Sequence, residues 1–193
     1  MDINLIIVAT YSYLLGSIPF GLVLTKIFLK KDIREIGSGN IGTTNVLRTG
    51  KKSLAVATLI LDLLKGYLSI IITLTYFENL ISYSALICFI GHIFPVWLKF
   101  KGGKGVATYL GIMFVLSLNL SFIFCISWII ISLVTKYSSL SSIMSALIIF
   151  IFSFLNNNFE LTSYLFITFI IILYTHRQNI VRIKNKSEDK IKL

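Results

Sequence analysis

The sequence predicts an all-α polytopic membrane protein with about seven transmembrane helices, on the basis of its composition, its long apolar segments and the placement of its basic residues. Of its 193 residues, 56% are hydrophobic and 13% are charged, whereas a soluble domain is nearer half apolar and a quarter charged. The mean hydropathy is +0.87. Most of the surface is therefore expected to lie in lipid.

Apolar segments of membrane-spanning length recur along the chain. A membrane helix needs roughly 20 mostly apolar residues, and backbone groups in lipid must be satisfied within the chain, so these segments are expected to be helices. The fourth and fifth are short, which leaves five spans with one re-entrant piece as an alternative. The segments are Ile3–Leu29, Ser53–Phe77, Leu80–Leu98, Gly105–Leu116, Leu120–Thr135, Ser138–Leu155 and Leu161–Tyr174.

The basic residues predict the orientation. Of the 18 Lys and Arg residues, 17 lie in alternate loops, at the helix ends beside them or in the C-terminal tail, and only Lys65 lies in the interior of a predicted helix. Cytoplasmic loops carry the excess of basic residues, so we expect the N-terminus outside and the C-terminus in the cytoplasm. Five spans would break this alternation, which favours seven. We expect a single integral membrane domain over residues 1–193, with 184–193 a polar, frayed cytoplasmic tail.

The net charge of +10 would suggest nucleic acid in a soluble protein. In so apolar a chain it points instead to topology and to anionic ligands or membrane lipids, and no nucleic acid partner is expected. Cys88 and Cys125 lie in apolar segments without disulfide or metal spacing, so we interpret them as packing residues. No His, Cys and acid cluster has metal-ligand spacing. Neither a metal nor a cofactor is expected.

The segment Gly37–Lys52, GSGNIGTTNVLRTGKK, is the first candidate site. Its closely spaced glycines can turn backbone N–H groups toward one point and form an anion nest. Hydroxyl and amide side chains add donors, and the Arg48 guanidinium suits bidentate phosphate contact. A G-x-G-x-x-G match is present, but a membrane helix precedes it where a dinucleotide site needs a strand. A P-loop is excluded because Thr43 stands where its lysine is required. A flexible basic loop is the plainer alternative.

The segment Gly91–Thr108, GHIFPVWLKFKGGKGVAT, is the second candidate. Gly102, Gly103 and Gly105 are expected to bend the chain so that Lys104 points a cation into the turn. The helix that follows would add its positive N-terminus. For His92, a packing role and a functional role are equally open.

Two further groups of residues attract attention. His176 and Asn179 are three residues apart at the cytoplasmic end of the last span, and therefore share a helical face. His176 could be a proton shuttle, a phosphate donor or an interface residue. Asp62 and Lys65 lie inside the second span, where charges are costly and usually pair; we favour a structural ion pair. The serines at 138–142 could cap a helix or offer hydroxyls to a site.

Taken together and in order, five motifs closely resemble the acyl-phosphate:glycerol-3-phosphate acyltransferase family of bacterial phospholipid synthesis. They are GSIPFG (Gly16–Gly21), GSGNIGTTNVLR, LDLLKG (Leu61–Gly66), GHIFPVWLKFKGGKGVAT and HRQN. The resemblance spans nearly the whole chain. It implies a seven-helix enzyme of the bacterial cell membrane, with its active site at the cytoplasmic face, that moves an acyl group from acyl phosphate to the 1-hydroxyl of glycerol 3-phosphate. The products would be phosphate and 1-acyl-glycerol-3-phosphate.

The resemblance also implies roles for individual residues. The residues expected around the acyl-phosphate head are Ser38, Gly39, Asn40, Thr44 and His176. The residues expected to hold glycerol 3-phosphate are Arg48, Lys104 and Asn179, with Gly102 and Gly103 beside Lys104. A serine such as Ser139 or Ser142 is expected to add a hydrogen-bond donor to this second group. Acyl phosphate is already activated, so no covalent nucleophile is required. Its own phosphate, which titrates near pH 6, is favoured to take the hydroxyl proton, and His176 is the competing base.

Two other classes of protein fit the sequence less well. A small phosphate transporter or channel would also use buried cations and broken helices, but the glycine motifs all fall on one face of the predicted membrane protein. A non-enzymatic lipid-binding scaffold would not explain the crowding of hydroxyl, amide and glycine donors.

Overall fold

The computed structural model describes residues 2–191, apart from the side chain of Glu160. The described residues form helices, turns and loops without a strand, which confirms the all-α prediction. The ten α-helices of this part of the chain are α1 Ile3–Ser17, α2 Phe20–Leu29, α3 Thr43–Leu47, α4 Lys52–Tyr76, α5 Ile81–Ile93, α6 Val106–Leu116, α7 Leu118–Thr135, α8 Ser138–Leu155, α9 Phe159–Thr175 and α10 Arg177–Lys184.

The helices are those of an integral membrane protein. Large apolar side chains point outward along them; on α7, for example, Leu133 is 57% exposed and Val134 is 78% exposed. Such a surface is stable only in lipid. Five helical stretches are long and apolar enough to cross a membrane, counting α1 and α2 as one, and Val106–Leu116 and Leu161–Thr175 are shorter apolar helices. These coincide with the segments expected from the sequence, and the count of seven spans stays a prediction.

The first predicted span, Ile3–Leu29, is present but consists of two helices, which corrects the expectation of one uninterrupted helix. The helix ends at Ser17 and restarts at Phe20 because Pro19 has no N–H to donate and its ring clashes with the preceding turn. Two side chains take up the freed carbonyls. Lys65 Nζ donates to Ile18 O at 2.7 Å, and the Trp97 indole N–H donates to Ser17 O at 2.7 Å.

By its internal contacts the chain divides into two compact units, residues 1–116 and 117–193. In the first unit α1 packs on α5 and α4 packs on α6. Glycines allow these close crossings, because a Cβ at Gly16 would overlap the Cys88 carbonyl and one at Gly111 would overlap the Leu63 carbonyl. Small residues serve this purpose widely in membrane helices. In the second unit α7 packs on α8, and α8 packs on α9.

The interior of the first unit contains polar groups that hydrogen-bond across helices. The Ser84 hydroxyl on α5 contacts Ser12 at 2.8 Å on α1 and Thr73 at 2.7 Å on α4. Asp62 and Lys65 form the expected ion pair, with Lys65 Nζ 2.9 Å from Asp62 Oδ1. Both side chains are almost fully buried. Such bonds hold helices together where lipid offers no competing partner.

Candidate active site

The loop before α3 carries the candidates Ser38, Gly39 and Asn40, α3 carries Thr44, and Arg48 directly follows the helix. The loop begins with a short 3₁₀ turn, Ile33–Glu35, which Asp32 caps by accepting the Arg34 N–H. The Arg34 guanidinium also forms a bidentate ion pair with Asp32, at 2.6 and 2.9 Å. This pairing holds the pKa of the Asp32 carboxyl well below its usual range and fixes the start of the loop.

The side chain of Asn45 holds this loop together. It is 2% exposed, and its amide nitrogen lies within 3.0 Å of three loop carbonyls, those of Ile33, Ile36 and Asn40. Its amide oxygen accepts the Ser38 backbone N–H at 3.0 Å and faces Arg48 Nη1 at 3.4 Å. One buried amide therefore fixes the position of a candidate catalytic serine relative to a candidate phosphate-binding arginine.

The predicted anion nest of backbone N–H groups is wrong for three of its members. The Ser38 N–H donates to Asn45, the Gly42 N–H donates to the Asn40 side chain at 2.9 Å, and the Gly39 N–H donates to a carbonyl of the preceding turn at 3.0 Å. Donors engaged within the loop are not directed at a ligand. The loop therefore offers side chains, chiefly the exposed Ser38, Thr44 and Arg48, in place of these three N–H groups.

The glycines of this loop serve conformation. Gly37 has φ of +55° and Gly39 has φ of +71°, values that cost little only for glycine. A Cβ at Gly37 would also crowd the Asn45 amide oxygen and the Arg48 side chain. We conclude that these glycines let the chain fold tightly around Asn45.

The second candidate segment folds back on the end of α5. The Gly102 N–H donates to Ile93 O at 2.9 Å, and the Gly103 N–H donates to His92 O at 3.1 Å. The predicted bend is thus present, and it leads directly to the half-buried Lys104. Val106 begins α6 two residues later, so an anion near Lys104 would also be favoured by the positive end of this helix.

In the second unit, a residue missed by the sequence analysis brings two candidates together. The Glu188 carboxylate accepts hydrogen bonds from Ser139 at 2.8 Å, from the Asn179 amide and from Arg182 at 2.7 Å. Burial alone would raise the pKa of Glu188, but these three hydrogen bonds hold it below its ordinary value. Ser142 lies apart from this group, since it accepts the Trp128 indole N–H at 3.1 Å and donates to a carbonyl of its own helix.

The tail is not frayed over the described residues, which corrects that expectation. Glu188 is held as described, the Ile191 N–H donates to Lys136 O at 2.8 Å, and Lys190 lies over the Tyr137 ring at 5.9 Å. The tail therefore returns to the start of α8. The signal in the sequence was a single glutamate among lysines shortly after the HRQN motif.

His176 lies where α9 ends and α10 begins. It is 2% exposed, and its Nδ1 lies 2.9 Å from Ile172 O. A carbonyl can only accept, so Nδ1 carries the proton in this contact and Nε2 of the neutral ring is left unprotonated. This tautomer suits a general base. Asn179, the other candidate at this end, is buried on the next turn.

Comparisons with known proteins identify the family of this chain. A family profile described as glycerol-3-phosphate acyltransferase matches residues 6–186. A glycerol-3-phosphate acyltransferase of Pelagibacter ubique is 53% identical over 188 residues, covering 97% of this chain and 98% of that protein. Crystal structures of PlsY, an integral membrane glycerol 3-phosphate acyltransferase, in a glycerol 3-phosphate form and a lysophosphatidic acid form, match with TM-scores of 0.92 and 0.89. Both are 35% identical and cover 98% of this chain and 96% of theirs. The chain belongs to the glycerol-3-phosphate acyltransferase family.

Proposed function

We propose that this chain transfers the acyl group of acyl phosphate to the 1-hydroxyl of glycerol 3-phosphate, producing 1-acyl-glycerol-3-phosphate and phosphate. The observation that carries the proposal is the near full-length match to an integral membrane acyltransferase with glycerol 3-phosphate and lysophosphatidic acid forms. These two compounds are the acceptor and the product of the proposed reaction. The single membrane domain over residues 1–193 stays a prediction.

The phosphate of the acceptor, glycerol 3-phosphate, is assigned to a site formed by basic side chains. Two anionic head groups must approach one another in this reaction, and two unit charges at 4 Å repel by about 4 kcal/mol at an effective dielectric constant of 20. Arg48 and Lys104 supply the opposing charge, with Asn179 as a further donor. Gly102 and Gly103 contribute by placing Lys104, because their own N–H groups donate to carbonyls at the end of α5.

The acyl-phosphate head is assigned to the hydroxyl and amide groups of Ser38, Asn40 and Thr44, together with Gly39 and His176. The hydrogen bond from the Ser38 backbone N–H to the Asn45 side chain, which fixes the position of Ser38, supports this assignment. Either Ser139 or Ser142 adds a hydroxyl donor for glycerol 3-phosphate. Ser139 is favoured because it shares the Glu188 carboxylate with Asn179, and its hydroxyl hydrogen, which Glu188 accepts here, would turn to the phosphate on binding.

The chemistry is a direct displacement at the acyl carbon. The 1-hydroxyl oxygen attacks the carbonyl carbon, the carbon–oxygen bond to phosphate breaks, and phosphate leaves with the bonding electrons. The hydroxyl proton passes to the departing phosphate, whose second pKa of about 6 makes it a competent base near neutral pH. His176 Nε2 is the competing acceptor of that proton.

The membrane arrangement is part of the proposal. Seven spans, with the N-terminus outside, would put the Gly37, Lys104 and His176 regions on the cytoplasmic face of the bacterial cell membrane. The 17 loop and tail Lys and Arg residues support this orientation. The acyl chain of the donor would lie among the helices, in contact with lipid.

Donor use tests the proposal. Purified protein should form 1-acyl-glycerol-3-phosphate from acyl phosphate but not from acyl-coenzyme A; comparable turnover of the coenzyme A ester would contradict the donor assignment. The phosphate transporter alternative is not favoured by the family match. Proteoliposomes without donor should accordingly show no protein-dependent phosphate flux.

A further inference from the structure

A buried polar cluster in the first unit is not used by the proposed chemistry. It consists of Asp62 and Lys65 on α4 and His92 near the end of α5. Asp62 and Lys65 are each 2% exposed and His92 is 4% exposed. Lys65 Nζ lies 2.9 Å from Asp62 Oδ1, and His92 Nδ1 lies 3.7 Å from the same oxygen.

Helix packing explains the first two members. The Lys65 ammonium caps the Ile18 carbonyl freed at the break between α1 and α2 and lies 5.7 Å from the centre of the Phe20 ring. A buried cation needs a counterion, and Asp62 provides it. Neither the capping of the Ile18 carbonyl nor the neutralisation of Lys65 requires a histidine, so the ion pair does not explain the presence of His92.

His92 lies directly beneath the segment that leads to Lys104. Its carbonyl accepts the Gly103 N–H at 3.1 Å. A Cβ at Gly103 would overlap His92 Nε2, and one at Gly102 would overlap the His92 carbonyl. The loop therefore rests on both the backbone and the ring of His92, and it has room to do so only because residues 102 and 103 are glycines.

The ring is oriented from its other edge. Nδ1 faces the Asp62 carboxylate oxygen that Lys65 also contacts, and Nδ1 has no closer hydrogen-bond partner among the described residues. A facing carboxylate oxygen favours the proton on Nδ1, as carboxylates commonly do for functional histidines. Asp62, itself held by Lys65, thus turns the opposite edge of the imidazole toward Gly103.

We propose that His92, oriented by the Asp62–Lys65 pair, is a positioning residue that supports Gly103 and so fixes Lys104 for the phosphate of glycerol 3-phosphate. The inference rests on the proposed role of Lys104 in acceptor binding. It gives the buried ion pair a second task besides joining helices. It should affect acceptor binding rather than donor binding, because among the residues assigned to substrates this cluster contacts only Gly102 and Gly103, beside Lys104.

The first test compares two amides at position 92. A Gln side chain reaches about as far as Nε2 and keeps a contact with Gly103, whereas Asn reaches only as far as Nδ1. His92→Asn should raise the KM for glycerol 3-phosphate about tenfold, as expected when one charge-assisted contact is weakened. The KM for acyl phosphate and kcat should stay within about twofold, and His92→Gln should lie closer to wild type.

A second test uses the overlap at Gly103. Gly103→Ala should raise the KM for glycerol 3-phosphate because the new methyl group collides with the ring. Adding His92→Asn removes the colliding atom, so the double variant should be less impaired than the product of the two single effects. Independent, multiplicative effects would overturn the proposed contact. If His92→Asn is not recovered folded, a normal KM in Gly103→Ala overturns it alone.

Ser84→Ala is the matched control. Ser84 is buried on the same helix and hydrogen-bonds to Ser12 and Thr73, so its loss should lower thermal stability without changing either KM. A KM for glycerol 3-phosphate in His92→Asn no different from that of Ser84→Ala would show simple packing. Measuring glycerol 3-phosphate binding without donor separates the role of His92 from the proposed use of acyl phosphate. In that measurement the wild type and His92→Asn should still differ in affinity, even if the donor assignment fails.

Discussion

Replacement of Asn45 by aspartate removes the amide group that hydrogen-bonds to the first candidate loop, with almost no change in the shape of the side chain. The variant keeps an oxygen for the Ser38 N–H but loses both amide hydrogens that reach the carbonyls of Ile33, Ile36 and Asn40. A net contribution of about 1–1.5 kcal/mol for each lost hydrogen bond gives roughly 2–3 kcal/mol. The loss should mainly disorder the loop, because the main helix pairings of this unit, α1 with α5 and α4 with α6, do not involve it.

Converted to kinetics, this loss predicts a kcat/KM for glycerol 3-phosphate lowered by roughly 30- to 150-fold. The assay is initial-rate phosphate release by purified protein at saturating acyl phosphate, with thermal unfolding measured in parallel. Thr49→Val is the control, because the Thr49 hydroxyl bonds only to the neighbouring Val46 carbonyl at 2.7 Å and to the Lys51 N–H at 3.4 Å. It should keep nearly wild-type kinetics.

Wild-type kinetics in Asn45→Asp would refute the argument that this amide organises Ser38 and Arg48. A fall in activity matched by a large fall in unfolding temperature would also count against it, since the loop would then be part of the global fold. The expected pattern is a large kinetic loss with a small change in unfolding temperature.

Three further predictions concern charge and topology. Arg48→Lys should lose roughly ten- to a hundredfold in kcat/KM for glycerol 3-phosphate, nearly as much as Arg48→Ala, because a lysine cannot make a bidentate contact; near wild-type kinetics in Arg48→Lys would oppose the phosphate clamp. The pKa of Glu188 is lowered on folding. Its carboxylate therefore stabilises the folded protein at pH values above the unfolded-state pKa of about 4.3. This contribution to the free energy of unfolding is lost as the pH falls through the lower folded-state pKa. Glu188→Gln should therefore lower the unfolding temperature at pH 7 by a few degrees, at about 2–4 °C for each kcal/mol, and flatten the acid side of its pH profile; an unchanged profile would contradict this. In a variant lacking native cysteines, an impermeant thiol reagent should label a cysteine at 78 but not at 101 in intact cells, and the reverse pattern would exclude the proposed orientation.

The helices were predictable because lipid permits few alternatives for an apolar chain. Segment composition located the ends of α4 and of α6 to α9 to within about two residues, whereas α5 ends at Ile93, before the predicted Leu98. The break at Pro19 was predictable in principle, since proline lacks an N–H, but the strong apolar run through residues 3–29 hid it. Lys65 and Trp97 donate to the carbonyls freed by this break. Their role could not be predicted from the local sequence, because it depends on which helices become neighbours in the fold.

The candidate site was less predictable than the fold. Residue types indicated phosphate chemistry, and the motif resemblance identified the family. The glycines nevertheless suggested an N–H nest, whereas the Asn45 and Asn40 amide oxygens claim two of those N–H groups. An amide that bonds to its own loop has the same sequence signature as one that awaits a ligand. Glu188 was missed because an acid in a basic tail resembles solvated surface until the tail is seen to return to α8.

The most direct test of the proposed reaction is its stoichiometry in purified protein. With acyl phosphate and glycerol 3-phosphate both present, the account predicts one molecule of 1-acyl-glycerol-3-phosphate for each phosphate released, and no enzyme-dependent release when glycerol 3-phosphate is omitted. An ¹⁸O label in the oxygen bridging the acyl carbon and phosphorus should be recovered in the released phosphate, because attack occurs at carbon. Phosphate release independent of glycerol 3-phosphate, or label left in a free carboxylic acid, would contradict direct acyl transfer.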